Sequence, residues 1–287
     1  MVRMQPKARI HCRLFVVGCA RSGTTLVQAM LAQHSRVLSL PETHFFSRAE
    51  RSGVGRRLGL ASRQAPRILR RMAEELARPD LQRLIPRWSP FFDRHARAFS
   101  AMLDLVALDT GRDVWLEKTP LHLTRIDTIA RHVADARFLH VLRDGRDVVA
   151  SLYEAARREP GVWGEPSIER CISRWNRDVQ ITLAHLHRDR HRVVVYERLV
   201  ADACTELTAL CRFLELDFEA AVLDHRDGAE RVLGRLAAKP WMHGIRKPLQ
   251  DMRHEKFREI FSERDQHYIE ERLLYRGDIG AANVLRA

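Results

Sequence analysis

Cysteine is scarce and badly arranged for pairing. The 287 residues hold five, Cys12, Cys19, Cys171, Cys204 and Cys211, an odd number with no Cys-x-x-Cys pair and no histidine at metal-ligand spacing. This pattern excludes a disulfide scaffold and a structural zinc module, and it predicts a reducing cytoplasm. Long apolar runs are also missing. The longest, from Leu14 to Cys19, is far too short for a membrane span or the core of a signal peptide. Negative charge is in deficit, with 37 Asp and Glu against 49 Lys and Arg. The formal +12 either draws in anions such as nucleotides or reflects an arginine-rich solvated surface. Internal repeats and low-complexity linkers are absent. At 45% apolar and 30% charged, the chain can bury a full core as a single domain over residues 1–287.

A lysine is missing where a phosphate-binding loop would carry one. The run Leu14-Phe15-Val16-Val17 predicts a buried strand, and it meets Gly18-Cys19-Ala20-Arg21-Ser22-Gly23-Thr24-Thr25. From Thr24 the apolar spacing becomes helical, through Leu26, Val27, Met30 and Leu31. Glycine at both ends lets successive N–H groups turn toward an anion, and the helix adds the positive end of its dipole. In an ATP-binding loop Lys-Ser or Lys-Thr would follow Gly23, the lysine clamping the outer phosphates and the hydroxyl holding magnesium. Here Thr24 and Thr25 follow it instead. A ligand with one phosphate and a less charged terminal group fits this change better than a triphosphate. The alternative is a glycine turn capped by Ser22 and Thr25 that merely starts a helix.

Further along, Val37–Leu40, Val114–Lys118, Arg137–Leu142 and Val193–Tyr196 read as strands. Helical spacing appears at Ile126–Val133, after Gly145, over Ile168–Arg188, over Thr205–Leu214 and over Arg264–Leu274. The alternation predicts an α/β fold, a P-loop-type parallel β-sheet flanked by helices on both faces, with ligands at the carboxyl ends of the strands. Residues 48–97 contain arginine, alanine, leucine and proline but no strand-like stretch, so they predict a helical insertion or lid. Residues 239–250 are basic, aromatic and proline-rich without period, and read as a loop.

Polar clusters fall at the predicted strand ends: Pro41-Glu42-Thr43-His44, Glu117-Lys118-Thr119-Pro120-Leu121-His122, and Leu142-Arg143-Asp144-Gly145-Arg146-Asp147 leading to Ser151. With the glycine loop, these four motifs resemble, in order and spacing over about two-thirds of the chain, sulfotransferases that use 3′-phosphoadenosine 5′-phosphosulfate. The likeness is strongest to the branch that includes bacterial enzymes and the tyrosylprotein sulfotransferases. It implies in-line transfer of a sulfuryl group to an acceptor hydroxyl or amine, release of 3′-phosphoadenosine 5′-phosphate, and no metal.

The same resemblance implies roles for individual residues. Ser22, Gly23, Thr24 and Thr25 would cradle the 5′-phosphate, with Arg21 at the sulfate or bridging oxygen. Lys118 would follow charge onto the leaving phosphate, although it could also be a surface lysine paired with Glu117. Arg143 and Ser151 would hold the 3′-phosphate. Tyr196 resembles a family residue near the adenine, or closes a strand by packing. Arg246-Lys247 resembles the donor-covering loop of cytosolic sulfotransferases, without the glycine and tryptophan expected shortly afterwards. Glu42 matches the general base, with His44 and His122 as rival bases or acceptor contacts. An acidic residue so placed after a glycine loop could instead bind a ribose hydroxyl, but Gly18–Gly23 is not a dinucleotide-binding spacing.

Two other functions are compatible with parts of the sequence. A nucleotide or small-molecule kinase would need the absent lysine and a magnesium-binding aspartate after a buried strand. A non-enzymatic nucleic-acid-binding protein would draw on the +12 charge, but no basic stripe with interleaved aromatics supports it, so no nucleic-acid partner is expected. The partner expected is a small-molecule or polymer acceptor with a hydroxyl group. Residues 48–97 and a loop at 157–166 would frame the acceptor's pocket, yet nothing in them distinguishes a sugar, a peptide, a lipid or a secondary metabolite.

Overall fold

The computed structural model describes residues 9–224 and 254–274. Five strands, β1 (Cys12–Gly18), β2 (Val37–Leu40), β3 (Val114–Lys118), β4 (Ala136–Leu142) and β5 (His191–Val195), form one sheet in the order β2-β3-β1-β4-β5. Every pairing is parallel. Because the chain adds β3 on one side of β1 and β4 on the other, a crevice opens above the carboxyl end of β1. The glycine loop begins there.

Side-chain alternation along the strands sorts the core into two layers. Phe15, Val17, Leu38, Leu40, Trp115 and Phe138 share one cluster, whereas Leu14, Val16, Val37, Leu116, Leu139 and Val141 share another with helix α1 (Thr24–Leu31). On the first face Phe15 meets Trp115 edge-on with ring centroids 5.3 Å apart, a geometry worth about 1 kcal/mol beyond burial. A third cluster joins α7 (Gly145–Arg158) and α9 (Ile168–Leu183) through Val148, Val149, Ile172 and Trp175. Trp175 is thus a core residue.

The predicted insertion is helical but no detached lid. α2 (Phe45–Arg48) leads into it, it holds α3 (Val54–Arg57) and α4 (Ala65–Glu75), and α5 (Phe92–Asp109) begins inside it and runs well past residue 97. Leu69, Met72 and Phe92 of the segment and Phe45, Phe46 and Phe99 at its flanks are buried in the first-face cluster, so the stretch from α2 to α5 supplies more than half of that core. Two other boundaries differ from the sequence reading. The helix expected to reach Arg188 ends at Leu183, and Arg190, at φ 67°, turns the chain into β5. Tyr196 opens helix α10 (Tyr196–Ala201) instead of closing a strand. Residues 157–166, expected as a loop, hold the end of α7 and a helical turn, α8 (Pro160–Trp163). Among the described residues no helix is long and apolar enough to cross a membrane.

A histidine trio ties β4 and β5 to the end of α9. His140 Nε2 lies 3.0 Å from His191 Nδ1, and the His185 ring stacks on His191 with centroids 5.4 Å apart. Burial, reinforced by its two histidine neighbours, pushes the pKa of His140 down to about 3. Burial, with His185 and Arg188, lowers that of His191 to about 4. Both folded-state values lie below the unfolded one, so the neutral rings contribute stability above about pH 6.5 that is lost as pH falls toward the folded values. Between pH 7 and 5, His140 alone accounts for a loss on the order of 2 kcal/mol. Urea titrations at the two pH values check this: His140→Gln is expected to shrink the pH-dependent part, and an undiminished pH dependence would remove the trio as its source.

Candidate active site

All the motif ends lie along one edge of the sheet. In register, Val16 of β1 faces Lys118 of β3, Leu40 of β2 faces Glu117, and Leu142 of β4 faces Val195 of β5. The glycine loop starts two residues beyond Val16, so the sheet itself brings Lys118 beside the loop at neighbouring-strand spacing.

Close approach explains both glycines of the loop. A Cβ on Gly18 would stand 2.5 Å from the Val141 carbonyl oxygen. One on Gly23, whose φ is 96°, would stand 2.4 Å from the Tyr196 ring. Between them Arg21 takes a left-handed φ of 75°, which costs about 1–2 kcal/mol for a residue with a side chain. The Ser22 hydroxyl donates to the Cys19 carbonyl at 2.7 Å, fixing the turn from within. The first backbone bonds of α1 run from Leu26 and Val27 to the Gly23 carbonyl. The N–H groups of Gly23, Thr24 and Thr25 precede those bonds, as the orphan donors of a helix start, and face the direction in which an anion is stabilised.

A continuous set of contacts links this loop to α7 and α10. Tyr196 packs on Gly23, and the Arg143 guanidinium lies over the Tyr196 ring, 4.3 Å from its centroid. Arg143 Nε is buried without a hydrogen-bond partner, and its Nη2 reaches Asp147 only at 3.5 Å. The Trp175 indole donates to the Arg143 carbonyl at 3.2 Å and steadies the backbone beneath it. Asp144, the cap of α7, accepts from Arg146 N–H, while its own N–H donates to Glu197 Oε1. Burial pushes the Glu197 carboxyl up from its ordinary value. Finally Arg21 Nε donates to Ser151 Oγ at 2.9 Å. Burial lowers the pKa of Arg21, with Glu154 opposing and Arg143 adding to the effect. Loop, Arg21, Arg143, Ser151 and Tyr196 therefore form one cationic pocket wall.

A second cluster occupies the ends of β2 and β3. Lys118, almost wholly buried, makes an ion pair with Glu42, whose other oxygen lies 3.4 Å from His44 Nε2. The neighbouring residue Glu117 is turned to the opposite face, as alternation along a strand requires. It accepts from Thr43 N–H and hydroxyl at 3.0 and 2.9 Å, from the Thr119 hydroxyl at 2.6 Å and from His122 Nδ1 at 2.9 Å. Burial raises the Glu117 pKa, but these donors outweigh it and hold the carboxyl below its ordinary value. The pairing of Lys118 with Glu117 considered from the sequence does not occur.

His122 is fully buried, with Nδ1 on Glu117 and Nε2 accepting from Phe46 N–H at 3.2 Å. Both ring nitrogens are spent on holding α2 against β3, so His122 drops out as a base or acceptor contact. His44 stays in contention: it sits at φ 54° beside Glu42, with Nδ1 buried and without a partner. Arg246 and Lys247 lie outside the described residues. Sequence reasoning missed the Glu117 hub and the Arg143–Tyr196 stack. The hub has a visible signal, Thr43, Glu117, Thr119 and His122 all lying in motif segments, whereas the stack depends on β4 and β5 being neighbours.

A glycine loop at the switch point of a parallel sheet, with two arginines beside it, has the form of an anion-binding site in an α/β fold. The chain belongs to the sulfotransferase family, whose model matches residues 13–220. It is 27% identical over 220 residues to protein-tyrosine sulfotransferase 2 of Gallus gallus, covering 75% of this chain and 54% of that protein. It is 28% identical over 219 residues to protein-tyrosine sulfotransferase 1 of Danio rerio, covering 75% and 56%. The chain thus spans about half the length of the curated relatives it matches. Among solved structures, the sulfotransferase domain of the Synechococcus PCC 7002 olefin synthase superposes with a TM-score of 0.62 at 23% identity, covering 93% of this chain and 96% of that one. Mouse sulfotransferase SULT7A1, solved with 3′-phosphoadenosine 5′-phosphate (PAP), gives a TM-score of 0.50 at 12% identity, covering 91% and 82%. These two likenesses support the fold.

Proposed function

We propose that residues 1–287 act as a single sulfotransferase domain, moving a sulfuryl group from 3′-phosphoadenosine 5′-phosphosulfate to an acceptor hydroxyl. The observation that carries this is the cationic wall, where a one-phosphate loop is joined by contact to a second guanidinium site at Arg143. The residues fit the donor: Arg143 Nε is buried without a partner, and the helix start offers N–H groups to a phosphate. A kinase reading has neither the lysine nor the family in its favour.

When bound, the donor supplies a sulfur whose bond to the 5′-phosphate oxygen breaks as the acceptor oxygen attacks from the opposite side. The N–H groups of Gly23, Thr24 and Thr25 and the Thr24 and Thr25 hydroxyls hold the 5′-phosphate, while Ser22, expected from the sequence to join them, has its own N–H and hydroxyl on the Cys19 carbonyl and shapes the turn. Arg143 holds the 3′-phosphate with Ser151, whose oxygen is taken by Arg21 but whose hydrogen is free to donate. That bond draws Arg21 toward the 3′ side of the loop and leaves Lys118 as the cation beside the base. Glu42 takes the acceptor proton, and His44 braces it. The acceptor enters from the side of α2 and the segment that follows it.

Calorimetry tests the donor. The protein is expected to bind 3′-phosphoadenosine 5′-phosphate, and binding of ATP with magnesium instead would sink the proposal. Arg143→Ala is expected to weaken the bisphosphate at least about tenfold, as loss of a charge-assisted contact does, and to leave adenosine 5′-phosphate nearly unaffected. Equal losses for both ligands would take Arg143 out of the 3′-phosphate site.

A further inference from the structure

Residues 48–97 carry thirteen arginines and five acidic residues, a net +8 of the chain's +12 in about a sixth of its length. Four large apolar side chains of the same segment face solvent: Trp88 at 94% exposure, Val54 at 70%, Leu58 at 63% and Phe91 at 53%. They belong to one surface. Leu60 bridges to Phe91, Ala61 N–H donates to the Pro90 carbonyl and Phe92 N–H to the Gly59 carbonyl, so 54–61 and 88–92 run side by side. Exposed arginines stand within three residues of each in sequence, Arg51 and Arg56 by Val54, Arg57 by Leu58, Arg87 by Trp88 and Arg94 by Phe91, and Arg63 is exposed in the same stretch. Beneath lies a cavity of about 910 Å³ lined by Arg48, Arg51, Arg56 and Arg125 as well as Val54 and Leu58. Glu50 alone opposes them there, paired with Arg56 at 2.9 Å and with Arg125 at 3.5 Å.

We infer that this face docks on an anionic lipid bilayer, Trp88, Phe91, Leu58 and Val54 entering the interface while the arginines meet lipid phosphates. Charge complementarity selects the sign of the surface, each arginine near an anionic membrane strengthening binding about fivefold. The apolar set selects the bilayer over other polyanions. Valine and leucine cannot stack on bases as a nucleic-acid platform would require. Tryptophan and arginine are the side chains that settle at the depth where hydrocarbon meets headgroups. The cavity offers its arginines to a headgroup beneath the anchors. Docking does not depend on the transferase reading.

The test is co-sedimentation of the full chain with phosphatidylglycerol–phosphatidylcholine vesicles against pure phosphatidylcholine vesicles. Binding to the first and not to the second is expected. Trp88→Ser combined with Leu58→Ser is expected to lower affinity about tenfold or more, by removing two buried anchors. Arg57→Gln, Arg63→Gln and Arg87→Gln together should lower it more steeply than Arg212→Gln, Arg258→Gln and Arg264→Gln together, three exposed arginines outside this segment. Circular dichroism confirms that each variant is folded. Trp88 emission should shift to the blue on binding, and Trp88→Phe should abolish that shift. The inference is overturned if the mixed vesicles do not bind the protein, or if both arginine sets act alike, which would reduce the effect to net charge. It is also overturned if the serine variants bind vesicles normally but lose binding to single-stranded DNA or an acidic polypeptide.

Discussion

Lys118→Met is expected to lower turnover about 10²–10³-fold while leaving the affinity for 3′-phosphoadenosine 5′-phosphate within a few-fold of the parent. Lys118 is buried and held by Glu42, so its ammonium is kept beside the base before any ligand arrives and has only to turn from the carboxylate toward the oxygen on which charge develops. Charge on the 5′-phosphate oxygen grows only as the sulfur–oxygen bond breaks, which is why the loss should appear in kcat and not in ground-state binding. Arg21 is less well placed for the task, because its Nε donates to Ser151 on the α7 side of the loop. Methionine keeps the apolar stem of the lysine, so packing at the end of β3 is disturbed little. Steady-state kinetics and calorimetry on the same variant provide the check. A parallel loss of bisphosphate affinity would move Lys118 from the transition state to donor binding.

The local parts of this site were legible because their signals are local. A β-favouring run ending at Gly18, a helix-period run starting at Thr24 and charged clusters after apolar stretches each need only a few consecutive residues to declare themselves. What stayed hidden depends on the order of strands in space. Lys118 finds Glu42 across 76 residues of sequence only because β2 lies beside β3, and the register Leu40 to Glu117 appears in neither segment alone. Arg143 finds Tyr196 because β4 lies beside β5. The valines before Tyr196 give that stretch a strand-like pattern that carries the reading one residue too far, into the start of α10.

The insertion shows a different failure of local reading. Its arginine-rich composition reads as a solvated lid, yet Leu69, Met72 and Phe92 within it, with Phe45, Phe46 and Phe99 at its flanks, are spaced so that one face of α2, α4 and α5 packs into the first-face core. Mean composition hides such a face, because the arginines that dominate it all lie on the other side. The two halves of the segment have separate tasks. The buried half sets α2, and through His122 and Glu117 the position of Thr43, next to Glu42. The exposed half carries the basic and apolar surface.

Glu42→Gln is expected to reduce kcat about 10²–10⁴-fold, the usual contribution of a positioned base, with His44→Gln costing distinctly less. Geometry offers both groups, since His44 Nε2 and Glu42 Oε2 are 3.4 Å apart. Their connections separate them. Glu42 is bonded to Lys118, the cation expected to follow the leaving group, so the carboxylate that loses this contact as charge develops gains electron density when it must accept a proton. His44 is tied to Lys118 only through Glu42 and can brace the carboxylate or pass on its proton. Glutamine preserves the size of the side chain and an oxygen for Lys118, which keeps the β2–β3 ends packed and isolates the loss of basicity. The pH dependence of kcat/KM decides: the acid limb should vanish in Glu42→Gln and persist in His44→Gln. The opposite pattern would make His44 the base and leave Glu42 the anchor of Lys118.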